Sequence, residues 1–140
     1  MQKFNYYSPT RIVFGKGARN MVGELTKELG VKKVAVIFGG SSAKKSGLLD
    51  IVKESLGAEG IETFLLGGVV PNPLLSKAKE MVGEAIKFGA DFILAVGGGS
   101  VIDTAKFVAI GVASPDTDIE EFFFQRKKVE KSLPIGTVLT

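Results

Sequence analysis

The stretch FILAVGGGSVIDTAK, residues 92–106, decides the fold. Its first five residues are an unbroken apolar run, the pattern of a strand whose sheet is covered on both faces, as in a parallel sheet. Gly97, Gly98 and Gly99 follow, and the period then changes: Val101, Ile102, Ala105, Val108, Ala109 and Val112 trace one face of a helix. A buried strand that turns through glycines straight into a helix is half of a βαβ unit, and a parallel sheet needs companions built the same way.

Those companions lie on both sides. Residues 34–38 form a second apolar run, 46–56 carry helical spacing, and 61–66 read as another strand. Asn72 and Pro73 make a cap-plus-first-turn pair for a helix. Leu74, Leu75, Ala78, Met81, Val82, Ala85 and Ile86 mark its apolar face, Lys77, Glu80, Glu84 and Lys87 its polar one, and Gly89 stops it. A further helix starts at Ala18 and ends at Gly30. Downstream, Ser114-Pro115-Asp116 breaks the helix, 118–124 read as a short helix ending in Phe122-Phe123-Phe124, 125–131 as a solvated basic loop, and 133–139 as a last strand. Right-handed crossovers then give an α/β, Rossmann-like parallel sheet with helices on both faces. At the amino terminus, residues 4–7 and 11–14 are β-prone and flank Ser8-Pro9-Thr10, which predicts a short amino-terminal β-hairpin or a pair of edge strands. Such strands offer a route to a homodimer by strand addition. The stop at Thr140, one residue after a strand, predicts a truncated chain.

Composition narrows the chemistry. The 140 residues, 45% hydrophobic and 24% charged, make one globular domain. A net charge of +3, from 18 basic and 15 acidic residues, is too mild and scattered for a nucleic-acid partner. There is no cysteine and no histidine. Thiolate metal sites, disulfides, a Ser-His-Asp triad and imidazole ligands are therefore excluded within this chain, and a cysteine-free composition fits the cytoplasm. No apolar run reaches the length of a membrane span and the first ten residues lack a signal-peptide core, so the expectation is a soluble, cytoplasmic protein without a membrane partner.

Chemistry is concentrated where strands meet helices. Glycines at 97–99 let a bulky anion approach the backbone, and the helix opening at Ser100 offers free N–H groups and a positive dipole end to a phosphate. A dinucleotide pyrophosphate suits such a junction. The competing reading is a tight turn closed by a capping box, with Ser100 as N-cap and Asp103 three residues on. At the second junction, Gly39-Gly40-Ser41-Ser42 precedes Lys44 and Lys45, either a phosphate loop or a solvated surface turn. At the third, 67–73, Asn72 is either a cofactor contact or an N-cap. All three lie at the carboxyl ends of the strands, where open α/β sheets bind ligands. The three phenylalanines read as core or as an interface with a further domain, and Arg126-Lys127-Lys128 as a solvated face.

Taken in order, RIVFGKGA (11–18), GGSSAKKSG (39–47), GVVPNP (68–73), FGADFILAVGGGSVIDTAK (88–106) and LPIGTVLT (133–140) resemble the group III, iron-containing alcohol dehydrogenase family, on its butanol dehydrogenase-like branch. The resemblance implies that residues 1–140 are the amino-terminal dinucleotide-binding domain. A helical domain carrying Fe²⁺ or another divalent metal such as Zn²⁺, held by an Asp and several His, is absent. It also implies that Gly98, Gly99 and Ser100 hold the cofactor pyrophosphate, that Asp103 faces the ribose and nicotinamide end of the cleft, that Asn72 lines the adenosine side, and that Thr137 and Thr140 contact the cofactor from the last strand. Gly39, with Gly40 and Ser41 beside it, stands where many members carry an Asp that binds the adenine ribose.

The implied activity is NAD(P)-dependent interconversion of small alcohols and aldehydes or ketones by hydride transfer. Loss of the acid at Gly39 removes its repulsion of a 2′-phosphate, and Lys44 or Lys45 offers a positive charge, so NADP(H) is favoured over NAD(H). The alternatives are a stand-alone nucleotide-binding module, the related half of a glycerol dehydrogenase-like enzyme, and a flavodoxin-like interaction domain that binds no nucleotide.

Overall fold

The computed structural model describes residues 2–72 and 74–140. Strands β1 (Lys33–Phe38), β2 (Glu62–Leu66), β3 (Phe92–Gly97) and β4 (Ile135–Leu139) form one parallel sheet in the order β2-β1-β3-β4. Helix α1 (Val22–Lys27) precedes β1. Helices α2 (Ser41–Lys45) and α3 (Leu48–Ala58) join β1 to β2, α4 (Leu75–Phe88) joins β2 to β3, and α5 (Gly99–Ala113) and α6 (Glu120–Phe124) lie between β3 and β4. This is the α/β, Rossmann-like architecture that the alternating runs predict. Among the described residues no helix is long and apolar enough to cross a membrane.

Strand side chains alternate between two packed layers, which explains why β1 from Val34 onward and β3 are unbroken apolar runs. Val34, Val36 and Phe38 join Leu94 and Val96 beneath Leu49, Val52 and Leu56 of α3. Ala35, Ile37, Ile93 and Ala95 face the opposite way, onto Met81 and Ala85 of α4 and Ala105 and Val108 of α5. Asp91 levels the two central strands. Its carboxylate accepts the Lys32 N–H at 3.0 Å and the Lys33 N–H at 2.9 Å, while its own N–H donates to the Lys33 carbonyl at 2.9 Å. Phe38 consequently pairs with Val96, and the glycines that follow both strands emerge at one edge.

One glycine sets the approach of α1 to α3. A Cβ on Gly23 would overlap the Ser55 backbone carbonyl, and the Gly23 N–H donates to Ser55 Oγ at 2.8 Å, which in turn donates to the Asn20 carbonyl at 2.8 Å. Since the obstacle is backbone, Gly23→Ala forces the helices apart. We expect a loss of about 3 kcal/mol, the upper range for overpacking, read as a lower denaturation midpoint at unchanged m-value. An unchanged midpoint refutes this packing.

Several local expectations are corrected. The amino-terminal hairpin is not formed: residues 4–7 and 11–14 have no strand assignment, and Phe4, Tyr6, Tyr7, Ile12 and Phe14 are exposed. An isolated two-stranded ribbon with no sheet or helix to lie on is marginal in water, whatever its β-propensity. The helix from Ala18 begins as a 3-10 turn over Ala18–Met21. The helix expected over 46–56 is α3, which starts at Leu48 after Gly47 with φ 72°, and the separate short helix α2 occupies what reads as a loop at Ser41-Ser42. Helix α4 starts at Leu75 with Leu74 as its N-cap, so Asn72 does not cap it, and Pro73 lies outside the described residues. Helix α6 starts at Glu120 rather than at Asp118, whose carboxylate accepts the Glu120 N–H at 3.0 Å. That bond, with Lys79 alongside, holds the Asp118 carboxyl below its ordinary value. The phenylalanine triplet is divided: Phe122 packs beside Ile119, Phe123 stacks on Phe107 at 5.1 Å, and Phe124 is exposed.

Candidate functional site

After β1 the chain crosses to β2 on one side of it, and then returns to β3 on the other. Connections that diverge in this way leave a crevice at the carboxyl ends of the two central strands. Gly39, Gly40 and Ser41 lie on one side of that crevice, and Gly97 to Ser100 on the other.

The three glycines at the end of β3 do different work. A Cβ on Gly97 would come within 2.7 Å of Val101 Cγ2, so its absence lets the strand pack against the first turn of α5. A Cβ on Gly98 or Gly99 would meet nothing within 4 Å. Gly98 is the N-cap of α5, in extended backbone at φ −96° and ψ −161°, and no side chain bonds to the helix start. Val101 and Ile102 are the first residues whose N–H groups reach back, both to the Gly98 carbonyl at 3.1 Å. The N–H groups of Gly99 and Ser100 stand ahead of that ladder, at the positive end of a 15-residue helix.

The capping-box reading of this turn fails. Because the helix begins one residue earlier than Ser100, that serine lies inside the first turn and Gly98 takes the cap position. Asp103 is exposed on the next turn, 3.6 Å from Lys106 Nζ. With no side-chain cap and open space over two glycines, the junction leaves its free N–H groups accessible to an external anion.

On the β1 side, the loop after β2 is drawn to the same edge: the Gly68 N–H donates to the Gly39 carbonyl at 3.2 Å and the Val69 N–H to the Phe38 carbonyl at 3.3 Å. Asn72 belongs to this loop, exposed and in the left-handed region at φ 55°. Lys44 Nζ lies 5.5 Å from the centroid of the buried Phe38 ring. From β4, the Thr140 N–H donates to the Gly97 carbonyl at 3.3 Å, which puts Thr140 at the crevice. Thr137 lies deeper along the strand, opposite Ala95. The fold thus gathers Gly39, Gly40, Ser41, Gly98, Gly99, Ser100 and Thr140, brings Asn72 alongside in its loop, and leaves Asp103 one turn along α5 and Thr137 further down the sheet.

Sequence reasoning passed over one neighbour. A cavity of about 200 Å³ lies between the loop after β2 and α5, lined by Val69, Leu74, Lys77 and Thr104 among others. Thr104 is buried and its hydroxyl donates to the Ser100 carbonyl at 2.8 Å, bracing the first turn of α5. No short motif marks it, because any threonine inside a helix can bond the carbonyl four residues back. A metal centre does not fit these residues. Among those described no three His, Cys, Asp or Glu side chains converge, and the whole sequence has neither His nor Cys.

An open parallel sheet with a glycine-lined, uncapped helix start at its switch point defines a nucleotide-binding fold of the Rossmann type. The chain belongs to the iron-containing alcohol dehydrogenase family, whose profile matches residues 9–140. It is 43% identical over 140 residues to the probable NADH-dependent butanol dehydrogenase 2 of Bacillus subtilis (strain 168), covering all of this chain and 35% of that protein. It is 36% identical over 143 residues to the NADPH-dependent aldehyde reductase YqhD of Escherichia coli (strain K12), covering all of this chain and 36% of that one. The crystal structure of NADH-dependent butanol dehydrogenase A from Thermotoga maritima superposes with a TM-score of 0.95 at 46% identity, over all of this chain and 35% of that one. The chain therefore spans about a third of the length of these relatives.

Proposed function

We propose that residues 1–140 are the dinucleotide-binding domain of an NAD(P)-dependent alcohol dehydrogenase that interconverts small alcohols and aldehydes or ketones. The observation that carries this is the β3–α5 junction, where uncapped N–H groups and two glycines with open space above them stand at the switch point of the sheet. Gly98, Gly99 and Ser100 hold the pyrophosphate, Gly39, Gly40, Ser41 and Asn72 take the adenosine side, and Thr140, Thr137 and Asp103 take the remainder of the cofactor. When bound, the nicotinamide gives or receives the hydride at the substrate carbon. The part of the residues named here is to bind and orient. The names of the relatives, butanol dehydrogenases and an aldehyde reductase, support the substrate class.

The loop after β1 bears no carboxylate from Gly39 to Ser42, and although the butanol dehydrogenases among the relatives are named for NADH, the aldehyde reductase YqhD is named for NADPH. A 2′-phosphate therefore meets no fixed negative charge there, and NADP(H) is favoured. The metal implied by the family, Fe²⁺ or Zn²⁺, belongs outside these residues. Exposed Phe4, Tyr6 and Tyr7 support pairing of the amino-terminal segments across a homodimer.

Fluorescence titration of the full-length protein with NADPH tests the reading directly. Saturable binding is expected, and its absence overturns the proposal. Residues 1–140 alone, which contain no histidine and, among the described residues, no cluster of three His, Cys, Asp or Glu to hold a metal, should give no aldehyde reduction above a control of free metal and NADPH. Turnover that disappears in Asp103→Ala would show that the domain division is wrong.

A further inference from the structure

The first residues after β1 leave a place for the adenine ribose without saying what would recognise a phosphate on it. Two lysines are near in sequence, Lys44 and Lys45, both exposed at the end of α2. The structure treats them differently. Lys44 Nζ is held over the Phe38 ring at 5.5 Å from its centroid, whereas Lys45 is in no ion pair or aromatic contact among those described. Phe38 is the last residue of β1, is 4% exposed, and is itself fixed in place: a Cβ on Gly67 would come within 2.7 Å of its Cε2 atom. The ring tip fills the space that a side chain at 67 would take. Gly67 admits Phe38, and the Phe38 face draws the ammonium of the exposed Lys44 toward the end of β1.

We propose that Lys44 is the specificity-determining residue for a 2′-phosphate on the adenine ribose of the dinucleotide, and that Phe38, seated on Gly67, is its positioning residue. This rests on the reading that the dinucleotide binds at this edge and that NADP(H) is favoured. A cation kept beside the strand end by an aromatic face loses less side-chain freedom on meeting a phosphate than one free in water. No carboxylate precedes it in the loop to compete for the charge.

The test uses the full-length protein and two probes that differ by the phosphate in question, adenosine 2′,5′-bisphosphate and adenosine 5′-monophosphate, with affinities measured by calorimetry. Wild type should bind the bisphosphate more tightly. In Lys44→Met that preference should fall about tenfold, the loss expected for one charge-assisted contact, with the monophosphate affinity nearly unchanged, and Lys44→Arg should restore most of it. Phe38→Leu, checked for folding by thermal unfolding, should reduce the preference in the same direction while Lys44 is still present. If Lys44→Met keeps the full preference, or if Lys45→Met loses it instead, the assignment of Lys44 is overturned and the NADP(H) reading stands. If wild type gains nothing from the 2′-phosphate, the NADP(H) reading falls and the role of Lys44 with it. Equal weakening of both probes in Lys44→Met overturns the assignment as well, since a general electrostatic contribution does not discriminate between them.

Discussion

Gly98→Val should abolish measurable cofactor binding while leaving the fold nearly as stable as wild type. The two halves of that result have separate causes. Gly98 is in extended backbone at φ −96° and an added Cβ meets nothing within 4 Å, so a branched residue is accommodated by the protein itself. What it occupies is the space above the N–H groups of Gly99 and Ser100, where a pyrophosphate has to come close to the backbone. Loss of two charge-assisted contacts to the anion corresponds to at least about a hundredfold weaker binding. Calorimetric titration with NADPH and thermal unfolding, run on the same preparation, separate the effects. Retained affinity with collapsed stability would make the turn structural and refute the phosphate reading. Gly97→Val is the contrasting control: its side chain would collide with Val101, so stability should fall there.

The second large effect is a change of cofactor preference in Gly39→Asp. The position can hold the new side chain, because a Cβ on Gly39 lies 3.4 Å from the Val69 carbonyl oxygen and 3.8 Å from Val101 Cγ2, and the backbone there is not in the left-handed region. A carboxylate at the end of this strand accepts hydrogen bonds from the ribose hydroxyls and repels a 2′-phosphate. We expect the ratio of kcat/KM for NADPH over NADH to drop about a hundredfold, which is the size of a close like-charge juxtaposition. A wild type that prefers NADH, or a ratio that does not move in the variant, refutes the proposed preference.

Much of the architecture can be read without coordinates because burial on both faces writes itself into the sequence. The runs at 34–38 and 92–96 are apolar at successive positions for the reason that α3 covers one face and α4 with α5 the other. Gly89 ends α4 in the left-handed region, as its placement predicts, whereas the first helix stops at Lys27 and Gly30 closes the turn that follows. What escapes such a reading depends on distant partners. The β-prone residues of the amino-terminal arm look like strands locally, but a ladder requires a neighbour, and none lies beside them among the described residues. Ser100 and Asp103 have the spacing of a capping box, yet β3 ends in a turn that starts the helix at Gly99 and passes the cap to a glycine. For the candidate site, residue types single out three junctions, and the fold sets all three at one edge of the sheet. The pairing of β1 with β3, and the loop bonds from Gly68 and Val69 to the end of β1, bring those junctions together, and neither is encoded in any short motif.

The position of β4 has a practical consequence for handling the 140-residue polypeptide. It is the last strand of the order β2-β1-β3-β4, with Ile135 and Leu139 exposed and no charged residue from Ile135 to Leu139. A rim of unpaired amides beside apolar side chains is a template onto which another molecule can add a strand, and neither lysine nor proline interrupts it to discourage that. Preparations of this polypeptide by itself should therefore aggregate increasingly as they are concentrated, and a charged substitution at exposed Leu139 is the simplest way to keep them dispersed.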